Sequence, residues 1–469
     1  MLKRLATISL IFVFTFMSVV TYGGTTYANF DPNVDTAILL DAETGKILYE
    51  RNVDQPLPPA SMTKMMSEYL ILEAVNNGEI AWDDIVPISE ELAQMSHDEG
   101  LSNVMLRVDH EYTVEELYES VAIYSANAAT MAVAEYISGS YGAFVEMMNE
   151  RGKELGMGTT LREAGAEYGL DDLEEIAAEG HGDFQFVNTT GLPNRLLYGN
   201  HPEGTGADED NYMSARATAI LAFHLVNEYP EVLDTASIPE KVFREGTTDA
   251  ITMQNWNWMI EGTMYPDLDY EYVDGLKTGF TNAAGYCFTG TGEKDGQRLI
   301  SVVMKAGSEI ERFNETERLM KYGFNNYSQQ EIYPADMQLE GYETIPVTKG
   351  TEDEVSVSTS DAISTIVHRS DDESSYSYSV HLDESLLDEE GQLTAPIEEG
   401  QVIGTMTVEY LGERTEGYLQ GDGSNYTTVN IVTNEPVERA GWFTLMMRGI
   451  GEFFSNIWSS VADTVRGWF

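Results

Sequence analysis

The feature that most constrains the fold is residues 57–64, L-P-P-A-S-M-T-K, which run directly into M-M-S-E-Y-L-I-L-E-A-V. Pro56, Pro58 and Pro59 cannot lie inside a helix, so the backbone has to turn into one near Ala60 and Ser61, and Gly78 supplies its C-terminal stop. Ser61 is therefore placed at a helix N-terminus, with Lys64 one turn later on the same face and its amine within reach of the hydroxyl. A serine hydroxyl becomes a nucleophile when a base takes its proton, and a lysine can be that base once desolvation or a neighbouring cation lowers its pKa. The first-turn N–H groups would help hold a developing oxyanion. An isolated S-x-x-K more often marks a serine cap and a solvated lysine, so the pair takes its meaning from what else the chain carries.

At 469 residues there is room for two or three domains. A formal charge of −53 argues against nucleic acid as a partner, because phosphate binding needs clustered Lys and Arg. Residues 1–28 have the three parts of a secretory signal: Lys3 and Arg4, an apolar core from Leu5 to Val20, and a Thr26-Tyr27-Ala28 cleavage site, with the mature chain starting near Asn29. An uncleaved N-terminal anchor is the alternative for that segment. Cys287 is the single cysteine and lies in an apolar run, which excludes an intramolecular disulfide and favours a small buried residue over a nucleophile. The scattered histidines offer no H-E-x-x-H spacing, which disfavours a zinc hydrolase.

Along the chain, T-A-I-L-L-D and K-I-L-Y-E, separated by A-E-T-G, predict a hairpin from Thr36 to Glu50. Thr113 and Glu116 form a capping box ahead of a helix, and a second helix stops at Gly139. Ser125-Ala126-Asn127 falls at the break between them, where a hydroxyl and an amide can be pushed into a cleft. Residues 156–186 are acidic and Gly-rich and read as a surface excursion with one short helix, D-D-L-E-E-I-A-A-E. V-D-G-L-K-T-G-F-T and two further runs joined by E-K-D-G predict antiparallel strands returning beside the first hairpin, with Lys277 on or next to a strand. From about Tyr333 to Val432, short alternating segments predict a separate all-β domain, a small sandwich. Residues 442–469 repeat apolar residues at three and four, an amphipathic helix suited to a membrane surface.

Three motifs thus stand in order: S-M-T-K at Ser61, S-A-N at Ser125 and K-T-G at Lys277. With V-D-G-L-K-T-G, F-T-G-T and F-V-N-T-T-G-L-P around them, the chain closely resembles the low-molecular-mass penicillin-binding proteins that are D-alanyl-D-alanine carboxypeptidases. The likeness runs from about Val34 to the amphipathic tail. It implies an α+β fold with a β-lactamase/penicillin-binding transpeptidase-like domain, an antiparallel sheet with covering helices and a helical subdomain. The expected division is a signal (1–28), that domain (29–330), the all-β domain (331–434) and a membrane-anchoring helix (435–469).

By that resemblance Ser61 is the acyl-ester nucleophile, Lys64 its proton acceptor, and Ser125 and Asn127 relay protons and hold the substrate amide. Lys277 and Thr278 contact the terminal carboxylate, and Gly279 and Phe280, next on the same strand, are substrate-binding with them. Phe280 stands where relatives often have His or Ser, and its N–H is expected to share an oxyanion hole with that of Ser61. Arg312, in S-E-I-E-R-F-N-E-T, matches an arginine that relatives carry near the same carboxylate; its plain alternative is pairing with Glu311 or Glu315. The resemblance implies no cofactor and no metal. Its partners are the peptidoglycan pentapeptide, β-lactam antibiotics and the outer face of the cytoplasmic membrane. A class A-like β-lactamase and a non-catalytic wall-binding protein are the rival readings.

Overall fold

Thr36–Asp41 and Lys46–Arg51 pair antiparallel, as the hairpin pattern predicts. The turn is held by Asp41 Oδ1, which accepts from Thr44 N and Oγ1 (2.8 and 2.7 Å), and by Gly45 at φ +70°. The computed structural model describes residues 30–412, 414, 417–421, 423–448 and 450. The expected signal, residues 1–28, and the last 19 residues of the expected amphipathic stretch, 451–469, lie outside the described residues.

The three returning strands, Val273–Thr281, Gly285–Lys294 and Gln297–Ala306, complete an antiparallel sheet. Gln297–Ala306 lies against Thr36–Asp41, and Val273–Thr281 forms one edge. Asp295 and Gly296, at φ +54° and +82°, make the tight turn that D-G predicts. Thr36–Asp41 is buried throughout because both sheet faces are covered. Ile38 and Leu40 join the core that includes residues of helices Lys64–Asn76 and Ala215–Glu228. Leu39 and Leu299 on the other face crowd Gly323 of helix Glu309–Asn326, where a Cβ would lie 2.5–2.9 Å from them.

Helices Val114–Tyr124 and Asn127–Ser138 build the helical subdomain beside the sheet. The capping box at Thr113 and Glu116 is formed, and Gly139 ends the second helix at φ +79°. The 156–186 excursion is more ordered than its composition suggests. Besides the expected Leu173–Ala178 helix it holds Leu161–Tyr168, capped by Thr160 and ended by Gly169, and Leu161, Leu173 and Ile176 share a small core with Val187 and Tyr212. The acidic residues that suggested a loop are the solvent faces of these short helices.

Helix Glu309–Asn326 runs into strand Tyr327–Tyr333, which pairs with Ile363–His368. The second domain is the expected β sandwich: a six-stranded sheet, Tyr376–Leu382 at one edge and Leu393–Thr394 at the other, closed over Val355, Val357, Ile403, Met406 and Ile431. The domains are joined more closely than the sequence suggests. Gly417–Tyr418, from the sandwich, adds a short strand to the free edge of Lys46–Arg51, and Leu419 enters the N-terminal core. Lys46 Nζ, itself buried, donates to Ile366 O (3.0 Å) in the sandwich. Among the described residues no helix is long and apolar enough to cross a membrane.

Candidate active site

Ser61 lies on a single 3₁₀ turn, Ala60–Thr63, that leads into helix Lys64–Asn76. The proline-driven entry is achieved by Ala60 at φ +49°, a left-handed conformation that costs about 1–3 kcal/mol for a residue with a Cβ. Ser61 makes no side-chain capping bond, so the plain reading of it as a helix cap is not what the fold uses. Two glycines let other elements close on this turn. A Cβ on Gly191 would sit 1.8 Å from Ala60 O, and one on Gly279 would sit 2.4 Å from Pro59 O, so the N-T-T-G-L segment and the K-T-G strand both touch the backbone around Ser61.

Lys64 is wholly buried. Its Nζ donates to Asn127 Oδ1 and Thr190 O, both at 2.8 Å, and lies 3.1 Å from Ser61 Oγ. The orientation of the Asn127 amide is fixed because its Nδ2 donates to Ser102 O (2.9 Å). Thr190 is fixed in turn: Asn188 Oδ1 accepts from the N–H groups of Thr190 and Gly191, and Asn211 Nδ2 ties Asn188 O to Thr63 Oγ1. Burial, reinforced by the charge of Lys277, holds the Lys64 amine well below the ordinary lysine range; Glu68 opposes the shift. A neutral amine has two N–H bonds and one lone pair. In that neutral form the two carbonyl acceptors would take the N–H bonds and the lone pair would face the Ser61 hydroxyl.

Ser125 is the αL cap (φ +60°) between the two subdomain helices, and Asn127 opens the second of them, so the break does place both beside Ser61. Ser125 Oγ is buried and makes no hydrogen bond to a protein atom. Lys277 is buried on Val273–Thr281, its pKa brought down to about 8 by burial and the Arg312 charge against the opposing pull of Glu68. Thr278, Gly279 and Phe280 line the same cleft, of about 270 Å³, with Ser61, Ser125, Asn127 and Arg312. The Phe280 ring is exposed at the mouth and stacks on Tyr286 at 4.4 Å between centroids.

Arg312 pairs with neither Glu311 nor Glu315; Glu315 is taken by Arg318 at 2.6 Å. Instead the buried guanidinium donates to Gly279 O (3.3 Å) and loosely to Glu309 (3.4 Å), its Nε has no protein partner, and burial lowers its pKa to about 10. It is a fixed, under-used fork of donors at the end of the K-T-G strand. Sequence reasoning missed Glu68, the Thr190 carbonyl, and the lining residues Leu101, Trp256 and Glu309. Of these only N-T-T-G carried a signal, a glycine in a polar run. Among the described residues no cluster of three or more His, Cys, Asp or Glu side chains could hold a metal ion.

The arrangement combines a buried amine on a serine, an amide donor, and two fixed cations along a strand edge, which suits acyl transfer from a substrate with a free carboxylate. Comparison with known proteins agrees. Residues 25–308 match the D-alanyl-D-alanine carboxypeptidase family, and residues 327–439 match the C-terminal domain of penicillin-binding protein 5. The chain is 30% identical to D-alanyl-D-alanine carboxypeptidase DacF of Bacillus subtilis over 89% of each chain. It is 28% identical to DacC of Escherichia coli over 93% of this chain and 90% of that one. Among solved structures, penicillin-binding protein 3 of Streptococcus pneumoniae superposes with a TM-score of 0.64 at 31% identity, covering 87% of this chain and all of that one. Penicillin-binding protein 5 of Haemophilus influenzae gives 0.62 at 25%, covering 87% and 98%. The chain belongs to the D-alanyl-D-alanine carboxypeptidase family, the serine-type low-molecular-mass penicillin-binding proteins.

Proposed function

We propose that this carboxypeptidase is exported and trims the terminal D-alanine from peptidoglycan stem peptides through an acyl-enzyme on Ser61. The observation that carries the reading is the Lys64 amine, buried, bonded to two fixed acceptors and 3.1 Å from Ser61 Oγ. Lys64 takes the hydroxyl proton as Ser61 Oγ attacks the carbonyl of the penultimate D-alanine. The N–H groups of Ser61 and Phe280 hold the oxyanion. Ser125 passes the proton to the departing amine, so D-alanine leaves and the acyl ester remains until water hydrolyses it. Asn127 orients the substrate amide, and Lys277, Thr278 and Arg312 hold the terminal carboxylate, with the peptide extended along the edge of Val273–Thr281. A β-lactam ring presents the same carbonyl and carboxylate, so penicillins should acylate Ser61 as well.

For location, the reading joins the secretory signal of residues 1–28 to the apolar C-terminal segment. Trp442 and Phe443 are 77% and 59% exposed on a helical stretch, 442–448. Large apolar groups turned to water in series fit the extracytoplasmic face of a membrane. The test of the chemistry is release of free D-alanine from a diacyl-D-Ala-D-Ala peptide by the wild type and by Ser61→Ala. Release by the wild type alone supports the reading; release by both, or by neither, overturns it.

A further inference from the structure

Two lysines share this site, and the proposed chemistry asks opposite things of them. Lys64 has to be neutral to accept a proton, while Lys277 has to keep its charge to hold a carboxylate. Both are buried, and burial pushes both toward the neutral form. Something has to restore the charge of one without restoring that of the other.

Glu68 meets the geometric requirements. It lies one helical turn beyond Lys64, four residues along the same face, and is buried to 3% exposure. Its Oε1 has no hydrogen-bond partner among protein atoms. Lys64 faces it from its own helix, Lys277 from Val273–Thr281 and Tyr118 from Val114–Tyr124; the Tyr118 hydroxyl is likewise buried and unpartnered. A buried carboxylate oxygen left without a hydrogen-bond partner is costly, and what the carboxyl group supplies to its surroundings is its charge, which both lysines feel.

We infer that Glu68 is a positioning residue that keeps Lys277 protonated while Lys64 stays neutral, and so sets the pH range in which the enzyme works. The charge count supports this. With Lys64 neutral, the Glu68 carboxylate stands against the Lys277 ammonium and Glu309 against Arg312, so without Glu68 the Lys277 charge would be buried with no counter-charge. Lys64 already has the Thr190 and Asn127 acceptors for its two N–H bonds, whereas Lys277 has a single long bond, to Thr278 O at 3.4 Å, so the counter-charge matters more to Lys277. Glu68 itself is poised: burial pushes it up to about 7 while the two lysines pull it down.

The inference rests on the proposed roles of Lys64 and Lys277. It is tested by kcat/KM against pH for D-alanine release by the full chain, comparing wild type, Glu68→Gln and Glu68→Asp. The wild type should give a bell whose acid limb reports Lys64 together with Glu68 and whose basic limb reports Lys277. Removing the carboxylate lowers both lysine pKa values, so Glu68→Gln should move both limbs to lower pH by about one unit or more, and cost about tenfold in rate above pH 8. Glu68→Asp keeps the charge one methylene further off and should move both limbs the same way by less; it decides the matter alone if Glu68→Gln does not fold. A folded variant with both limbs unmoved, changed only in height or in melting temperature, would make Glu68 structural and overturn the inference. Failure of the underlying reading looks different: wild type inactive, or Ser61→Ala still active.

Discussion

The two domains bury different things. The sheet-and-helix domain buries Lys64, Glu68, Lys277 and Arg312 around one cleft and holds Ala60 and Ser125 in left-handed conformations beside it. In the sandwich, among the described residues, the buried polar residues are Ser358, Thr359, Thr365, His368 and Thr433, and the one acid side chain seen to be nearly closed off, Asp371 at 7% exposure, is paired with Arg414. Its strands alternate inward apolar and outward polar residues, as in E-V-S-V-S-T with Val355 and Val357 inside. In the proposed reading the desolvated charges around the cleft serve the chemistry, while the sandwich offers no such cluster. Mutations should separate the two accordingly.

The sharpest separation is at Lys64. Lys64→Arg keeps a cation but loses the ability to be neutral, so it should reduce acylation by a fluorescent penicillin by about 10²–10⁴-fold, the range for loss of a general base. Near-normal labelling of a folded Lys64→Arg protein would remove Lys64 from the role of base. A smaller effect is expected at Arg312. Losing a charge-assisted bond to the carboxylate costs about 1.5–3 kcal/mol, so Arg312→Ala should lower kcat/KM on free-acid peptide by roughly ten- to a hundredfold. An unchanged rate would reject Arg312 as a carboxylate contact, and equal turnover of peptide acid and peptide amide by the wild type would reject the carboxylate argument as a whole.

In the sandwich the expected effect on turnover vanishes while the effect on stability does not. Ile431 is fully buried, and Ile431→Ala should destabilise the sandwich by about 2–5 kcal/mol. D-alanine release at 25 °C should stay within twofold of wild type. The Gly417–Tyr418 strand and Leu419 give this comparison an edge, because they tie the sandwich to the N-terminal sheet. A fall in turnover that tracks unfolding of the sandwich would mean the tie supports the cleft as well.

What the sequence disclosed follows the same division. Ser61 and Lys64 were legible because their relation is local: three residues on one helix, with prolines to mark its start. The hairpin, the D-G turn and the alternating strands of the sandwich were legible for the same reason. Glu68 was not. It reads as one more helix residue until Val273–Thr281, some two hundred residues later, brings Lys277 beside it. The Thr190 carbonyl is a backbone atom and leaves no mark on composition beyond the glycine that follows it. Arg312 was placed by resemblance, but its actual neighbours, Gly279 O and Glu309, depend on how helix Glu309–Asn326 lies on the sheet. The Leu161–Tyr168 helix had a cap and a glycine stop in view, and acidic composition outweighed them.

The smallest effect on chemistry is expected at the C-terminus. The helical stretch 442–448 turns Trp442, Phe443, Met446 and Met447 to solvent, while Arg448 turns back to the sandwich and bonds Gly350 O (3.0 Å) and Asp353 (2.8 Å). A segment fastened at Arg448 and apolar on its open side suits the proposed attachment to a membrane surface. In residues 442–469, Arg448 and Arg466 are offset by Glu452 and Asp463, so in the proposed attachment apolar burial, rather than attraction to anionic lipid, would supply the affinity. Each large side chain contributes about 1.5–3 kcal/mol when fully buried, and several partly buried together suffice for lasting attachment. Binding to vesicles should therefore persist at high salt. A chain ending at Gly441 should release D-alanine at the wild-type rate and no longer sediment with vesicles; continued sedimentation would point to the N-terminal segment or the sandwich as the anchor, and lost activity would mean that this stretch supports the cleft.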